Sequence, residues 1–131
     1  MEIYLGQAHL ALPYLHEAAT IQRTALPPLH HALALTLNTL GNCLRDLSRP
    51  LDALDKLEEA EAIQRTALPA LHPHLAMTLG NLGGCLRHLD RPQEALGKWD
   101  EARTLFQSHG SQFEGLIQQL TQRIAQIKGN V

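Results

Sequence analysis

The sequence predicts an all-α protein built from repeated helix pairs, and three observations support that prediction. The heptapeptide IQRTALP occurs at residues 21–27 and again at 63–69, and residues 19–60 match residues 61–102 at 26 of 42 positions. Leucines recur at alternating steps of four and three, which is the periodicity of an amphipathic helix. No useful length of sequence alternates with the period of two that strands show. A fixed period indicates a stacked array, because one unit cannot bury its apolar face alone.

The first complete helix pair is predicted between residues 30 and 71. Its first helix has a stripe of leucines at Leu33, Leu37, Leu40, Leu44 and Leu47. Pro50 is suited to the first turn of the second helix, where a missing N–H costs no hydrogen bond. The apolar positions of that second helix are Ala53, Leu54, Leu57, Ala60 and Ile63. The pair therefore has one apolar face on each helix.

The second complete pair, predicted between residues 72 and 110, repeats this plan. Its first helix has leucines at Leu75, Leu79, Leu82, Leu86 and Leu89. Pro92 again opens the second helix. The apolar positions of that helix are Ala95, Leu96, Trp99, Ala102 and Leu105. Because these positions recur one period later, we expect the two pairs to pack alike.

Residues 1–29 are predicted to form a partial first unit. The repeat alignment places Gly6 opposite Ser48, so we expect the end of one helix before Gly6 and a second helix after it. Pro13 is expected to start or bend that second helix. Most of the first helix of this unit is therefore expected to be missing.

Residues 111–131 predict a helix that caps the array. Gly110 is expected to close the preceding helix, and Ser111 with Glu114 matches a capping box. The apolar residues on one face are Phe113, Leu116, Leu120, Ile124 and Ile127. Glutamines occupy much of the rest. A helix that is apolar on one side and polar on the other covers the last apolar face of a repeat array.

The recurring residues match the pattern of a known repeat. The matching positions are Leu37, Leu40-Gly41, Leu44, Ala53, Leu57 and Ala60 in one pair, and Leu79, Leu82-Gly83, Leu86, Ala95, Trp99 and Ala102 in the next. They resemble the tetratricopeptide repeat, in the 42-residue class similar to that of kinesin light chains. The resemblance spans residues 5–106, with Ser48 and Asp90 where the family usually has glycine. It implies a TPR-like α-solenoid of antiparallel helix pairs.

Small residues are expected where two helix backbones approach closely. Gly41 and Gly83 occupy equivalent positions in the first helix of each pair. A larger side chain there would hold the helices apart. We expect both positions to accept alanine but not leucine.

Composition and charge argue against several functions. The net charge of −2 gives no clustered basic face, so nucleic acid is not expected as a partner. No apolar run reaches the length of a membrane span, and no signal peptide opens the chain. A cytoplasmic protein without membrane contact is therefore predicted.

The cysteines and histidines, which are the residues most suited to catalysis or metal binding, are expected to have structural roles. Cys43 and Cys85 lie one period apart, too far for a disulfide, and are expected to be free and buried. His30 and His72 are also equivalent, and we expect turn or cap hydrogen bonds from them. No spacing suits a metal, and no pair of residues suits catalysis. No cofactor is expected, and the protein is predicted not to be an enzyme.

The resemblance implies a binding function. In tetratricopeptide arrays the first helix of each pair lines a concave groove, where Asn side chains hold the backbone of an extended peptide. The candidate residues by this resemblance are Asn38, Asn42 and Asn81, with Arg45 and Arg87 for an acidic group, and Leu35 and Met77 for apolar contact. An amide both donates and accepts hydrogen bonds, so it can pair with any peptide unit. We expect a protein or peptide partner.

Two alternatives remain open at this stage. The chain is either a structural, self-associating fragment of a longer array, or the regulatory arm of a larger enzyme or transcription regulator. The half-built first unit favours self-association. It leads us to expect four residues to be buried against something beyond their own repeat, namely Ile3, Tyr4, Leu5 and Leu12. A homodimer through the N-terminal unit is the simplest such contact.

Overall fold

The computed structural model describes residues 2–27, 30–69 and 72–129, with side chains described from Gly6 onward. These residues form helices and turns, without a strand among them. The elements are α1 (Glu2–Ala25), α2 (His31–Asp46), α3 (Pro50–Ala67), α4 (Pro73–His88), α5 (Pro92–Gln107), a 3₁₀ turn (Gly110–Phe113) and α6 (Glu114–Gly129). They divide into two compact units, Met1–Leu68 and Pro69–Val131. The predicted all-α fold of packed helix pairs is confirmed.

In the first unit, α2 and α3 form a packed antiparallel pair, and α1 packs against α2. The predicted stripes meet in the core, where Leu37, Leu40, Leu44, Ala53, Leu57 and Ala60 are all buried. An ion pair joins α1 to α3, since Arg23 donates hydrogen bonds of 2.6 and 2.8 Å to the two carboxylate oxygens of Glu59. This bonding raises the pKa of Arg23 and lowers the pKa of Glu59.

The turn inside each pair adopts a left-handed conformation at a residue other than glycine. Ser48 has a φ of 60° and Asp90 a φ of 58°. This geometry lets the Arg49 N–H donate to the Leu44 carbonyl at 2.9 Å, which satisfies a carbonyl at the end of α2. Helix α3 then begins at Pro50, as predicted. The family's usual glycine is therefore replaced here without loss of the turn.

Helix α1 runs without a break from Glu2 to Ala25, with Pro13 inside it. The sequence alignment had placed the end of one helix at Gly6. The difference has a local reason. The residue of α1 that is equivalent to Pro50 and Pro92 in the repeat is Ala8, and alanine does not stop a helix. The unit boundaries at residues 29, 71 and 110 stay a prediction.

In the second unit, α4 pairs with α5, and α6 packs on α5. Leu120, Ile124 and Ile127 are buried on the apolar face of α6, as expected for a capping helix. The predicted capping box is wrong. Ser111 lies in the 3₁₀ turn, where its carbonyl accepts from the Glu114 N–H, so the helix begins three residues later than expected.

The close approach of helices at the two glycines is confirmed, but the geometry at Gly83 argues against the expected tolerance of alanine there. A Cβ on Gly41 would lie 2.5 Å from Cγ of Leu57, a flexible side chain. A Cβ on Gly83 would lie 2.7 Å from Cε2 of the Trp99 ring and still closer to its Nε1 and Cδ1 atoms. The Trp99 indole is buried, rigid and hydrogen-bonded, so it has little room to move.

Candidate functional site

Helix α2 carries two of the predicted binding residues on one face. Asn38 and Arg45 are seven residues apart, or about two helical turns, so they lie on the same side. Both are half-buried, and Leu35 is exposed. No hydrogen bond or ion pair engages the Arg45 guanidinium among the residues that the structure describes. An amide, a cation and an apolar side chain thus lie on one helix.

Asn42 differs from Asn38 in its surroundings. It lines a cavity of about 230 Å³ between α1 and α2, together with Ala8, Ala11 and Leu15 of α1. Its Oδ1 atom is buried and has no hydrogen-bond partner. Asn42 is therefore associated with the α1 side of α2.

Helix α4 carries the remaining candidates, and the capping helix partly covers one of them. Met77 is exposed and Asn81 is half-buried. Arg87 donates a hydrogen bond of 3.3 Å to Oε1 of Gln126 on α6. Leu120 of α6 also lies 4.0 Å from the position that a Cβ on Gly80 would occupy. This contact could not be predicted from the sequence, because no local sequence pattern relates the glutamines of α6 to the residues of α4.

The predicted histidine caps are confirmed. Nδ1 of His30 accepts a hydrogen bond of 3.0 Å from the Ala32 N–H at the start of α2. Nδ1 of His72 accepts one of 3.1 Å from the His74 N–H at the start of α4. The His72 and His74 rings stack on each other, with their centroids 5.0 Å apart. Both caps need a neutral imidazole, because a protonated Nδ1 has no lone pair to accept with.

This cap predicts acid destabilisation of the second unit. Burial lowers the pKa of His72, and the positive potentials of His74 and His109 lower it further. A depressed pKa in the folded state means that the stabilisation is present above the unfolded value of about 6.5 and is lost as the pH falls below it. We expect the melting temperature to drop between about pH 7 and pH 5, and the drop to be smaller in His72→Asn, because Asn caps without titrating.

The control for this measurement is His9→Asn, a histidine exposed on α1. It should leave the pH dependence close to that of the parent chain. A melting profile that His72→Asn does not flatten would show that the His72 cap is not the acid-sensitive group.

The cysteines have the structural role predicted for them. Cys43 and Cys85 are both free and buried. Sγ of Cys43 donates to the Ala8 carbonyl at 3.0 Å, which links α2 to α1. Burial raises the pKa of the Cys43 thiol, and Asp46 raises it further. A thiol with a raised pKa is a poor nucleophile, because the reactive species is the thiolate.

The described residues contain neither a metal-binding cluster nor a helix that could span a membrane. Across residues 2–27, 30–69 and 72–129, no three His, Cys, Asp or Glu side chains are placed to hold a metal ion. None of the helices in these ranges is long and apolar enough to cross a membrane. The cytoplasmic location stays a prediction.

An exposed apolar face on α1 was not found by sequence reasoning. Leu10, Tyr14 and Ile21 are 71%, 73% and 55% exposed, and their spacing places them along one side of the helix. Comparison of the repeats would have revealed it, because Asp52 and Lys56 occupy the positions of Leu10 and Tyr14 in the next unit.

The burial expected at the start of the chain is only partly testable. The side chains of Ile3, Tyr4 and Leu5 lie outside the described residues. Leu12 is half-buried. The homodimer that these residues suggested stays a prediction.

Comparison with solved structures supports the fold. Two crystal structures of TPR-like repeats from Podosopora anserina, described as a kinesin light chain with nearly identical repeats, match 93% of the chain with a TM-score of 0.73. One is 19% identical in sequence, and the other, a form with a single substitution, is 18% identical. The chain spans 66% of the length of each. At this identity the likeness extends to the fold alone.

Comparison with sequences gives the family. A search of curated proteins finds no match. The family model described as tetratricopeptide repeat matches residues 1–66, which is just over half of the chain. The match covers α1, α2 and most of α3, where the helix-pair packing and the glycine contact at Gly41 have been described. The chain therefore belongs to the tetratricopeptide repeat family.

Proposed function

We propose that the chain is a non-catalytic interaction module that binds a peptide or a segment of a partner protein through the first helix of each pair. The observation that carries the proposal is the face of α2, where Asn38 and Arg45 lie beside the exposed Leu35. The buried leucines of α2 lie on another side of the helix, so this polar face is separate from the packing of α2 on α3.

The chemistry of this face suits an extended acidic peptide. An asparagine amide such as that of Asn38 is both a hydrogen-bond donor and an acceptor, so it suits a peptide backbone whatever the peptide sequence. The Arg45 guanidinium presents a planar fork that binds a carboxylate through two hydrogen bonds. A carboxylate ligand is therefore favoured near the carboxyl end of α2.

Helix α4 offers a second, unequal face. Met77 and Asn81 supply an apolar contact and an amide there. Arg87 already has the Gln126 side chain as a partner, so binding a carboxylate requires that neutral hydrogen bond to be exchanged for a charged one. Of the two arginines, Arg45 is the stronger candidate for recognition.

A double substitution tests the proposal. Asn38→Ala with Arg45→Ala removes the amide and the cation from α2, and a hydrogen bond to a charged group is worth about 1.5–3 kcal/mol. A partner captured with the intact chain and identified by mass spectrometry should then bind the variant about tenfold more weakly or worse by calorimetry.

The control is Glu58→Ala, an exposed charge on α3. The melting temperature of both variants should stay close to that of the parent chain. Unchanged affinity of the double variant for the captured partner would move the binding site away from this face of α2.

A further inference from the structure

The cavity between α1 and α2 belongs to a larger open surface in the first unit. The cavity is bounded by Ala8, Ala11 and Leu15 on α1 and by Thr39 and Asn42 on α2. The exposed stripe of Leu10, Tyr14 and Ile21 runs along an adjacent side of α1. We call this surface the N-terminal slot. It is a groove with apolar side chains along one wall.

The internal repeats show what normally covers the α1 wall of the slot. Ala11, Leu15, Ala18 and Ile21 are one period before Ala53, Leu57, Ala60 and Ile63 of α3, and two periods before Ala95, Trp99, Ala102 and Leu105 of α5. The α3 and α5 residues are all buried, with Ile63 3% and Leu105 6% exposed. Their partners in the packed pairs are α2 and α4. On α1, the first three are only half-buried and Ile21 is 55% exposed.

We propose that the N-terminal slot binds an α-helix with the sequence pattern of the first helix of a repeat, supplied by a different protein. The pattern is that of α2, with leucines on one stripe and a glycine at its centre. A glycine suits the slot because Leu15 occupies the position of Leu57, and a Cβ on Gly41 would already lie 2.5 Å from Cγ of Leu57. A helix with a large residue at that place cannot approach Leu15 as closely.

The rim of the slot fits the same occupant. Leu10 and Tyr14 stand where α3 has two charged residues, the exposed Asp52 and the half-buried Lys56. An apolar extension at the rim of the slot adds area that a docked helix can bury.

A second folded copy of this chain is a poorer occupant. Its own glycine-centred helices are already paired, since Gly41 faces Leu57 and Gly83 faces Trp99. To offer one of them to the slot, the copy would have to open its own core, so the occupant we propose is a partner in which a helix of this pattern is not already paired. The proposal does not depend on Asn38 or Arg45, so it stands or falls separately from the peptide-binding function.

A synthetic peptide of residues 31–47, with Cys43→Ser to prevent oxidation and a fluorescent label, tests the proposal against the full chain. We expect saturable one-to-one binding by fluorescence anisotropy. The same peptide with Gly41→Leu should bind about tenfold more weakly or worse, because the leucine holds it away from Leu15.

Two variants of the chain locate the binding. Ile21→Glu should weaken peptide binding about tenfold or more, because a carboxylate would be buried without a partner. Its fold should survive, since Ile21 is exposed in the free chain. The matched control is Leu51→Glu on α3, where the leucine is 68% exposed, and it should bind the peptide as the parent does. Circular-dichroism melts verify that both variants are folded.

Three results would overturn the proposal. The first is no binding of the parent peptide at concentrations up to its solubility limit. The second is equal affinity for the parent and Gly41→Leu peptides. The third is a concentration-dependent dimer of the chain in light scattering that Ile21→Glu abolishes, which would assign the slot to a second copy.

Discussion

Gly83→Ala is expected to destabilise the protein by about 1–3 kcal/mol, although alanine is normally the better helix former. The added methyl group would overlap the indole ring of Trp99. That ring is buried, and its Nε1–H donates to the Gly80 carbonyl at 3.0 Å, so a shift of the ring also weakens this hydrogen bond. Thermal unfolding followed by circular dichroism measures the effect as a fall of several degrees in melting temperature.

Gly97→Ala is the matched control for this change. Gly97 lies in α5 with open space where its Cβ would be, so the same substitution should raise stability by up to about 1 kcal/mol. Gly41→Ala should fall between the two, since Leu57 can adjust more easily than an indole. Equal melting temperatures for Gly83→Ala and the parent chain would contradict the close packing of α4 on α5.

Gln64→Met is expected to stabilise the protein by about 1–3 kcal/mol. The Gln64 side chain is 1% exposed, and neither its Nε2 nor its Oε1 atom has a hydrogen-bond partner. Burying an amide in this way costs free energy that a thioether of similar size and shape does not incur. The next unit has the buried Phe106 at the equivalent position, which indicates that an apolar side chain suits this site.

In denaturant unfolding, this gain appears as a higher midpoint concentration of denaturant, while the slope of the unfolding free energy against denaturant concentration stays the same. The control is Gln93→Met, the same change at an exposed position of α5, which should alter stability by less than about 0.5 kcal/mol. A loss of stability in Gln64→Met would mean that the Gln64 amide has a hydrogen-bond partner in solution.

The helix pairs could be predicted from the sequence because several local signals agree. Leucine spacing gave the helices, Pro50 and Pro92 gave the starts of α3 and α5, and the 42-residue period related the two pairs. The close approach at Gly41 and Gly83 was also predictable, since glycine at a buried helix position indicates that something lies close to it.

Features that depend on what a residue touches could not be predicted. The rigidity of Trp99 decides whether alanine is tolerated opposite it, and only the structure gives the position of the ring. The hydrogen bond from Arg87 to Gln126 joins residues on α4 and α6 that share no sequence pattern. Asn42 resembled Asn38 in the sequence, but its surroundings are set by the cavity beside α1.

Amide chemical-shift mapping by NMR, with a captured partner peptide titrated into the labelled chain, tests the binding proposal most directly. We predict that the largest shifts fall on α2 and α4, with Asn38 and Arg45 among the residues most affected. Shifts confined to α3 and α5, with those of α2 and α4 unchanged, would contradict the proposal.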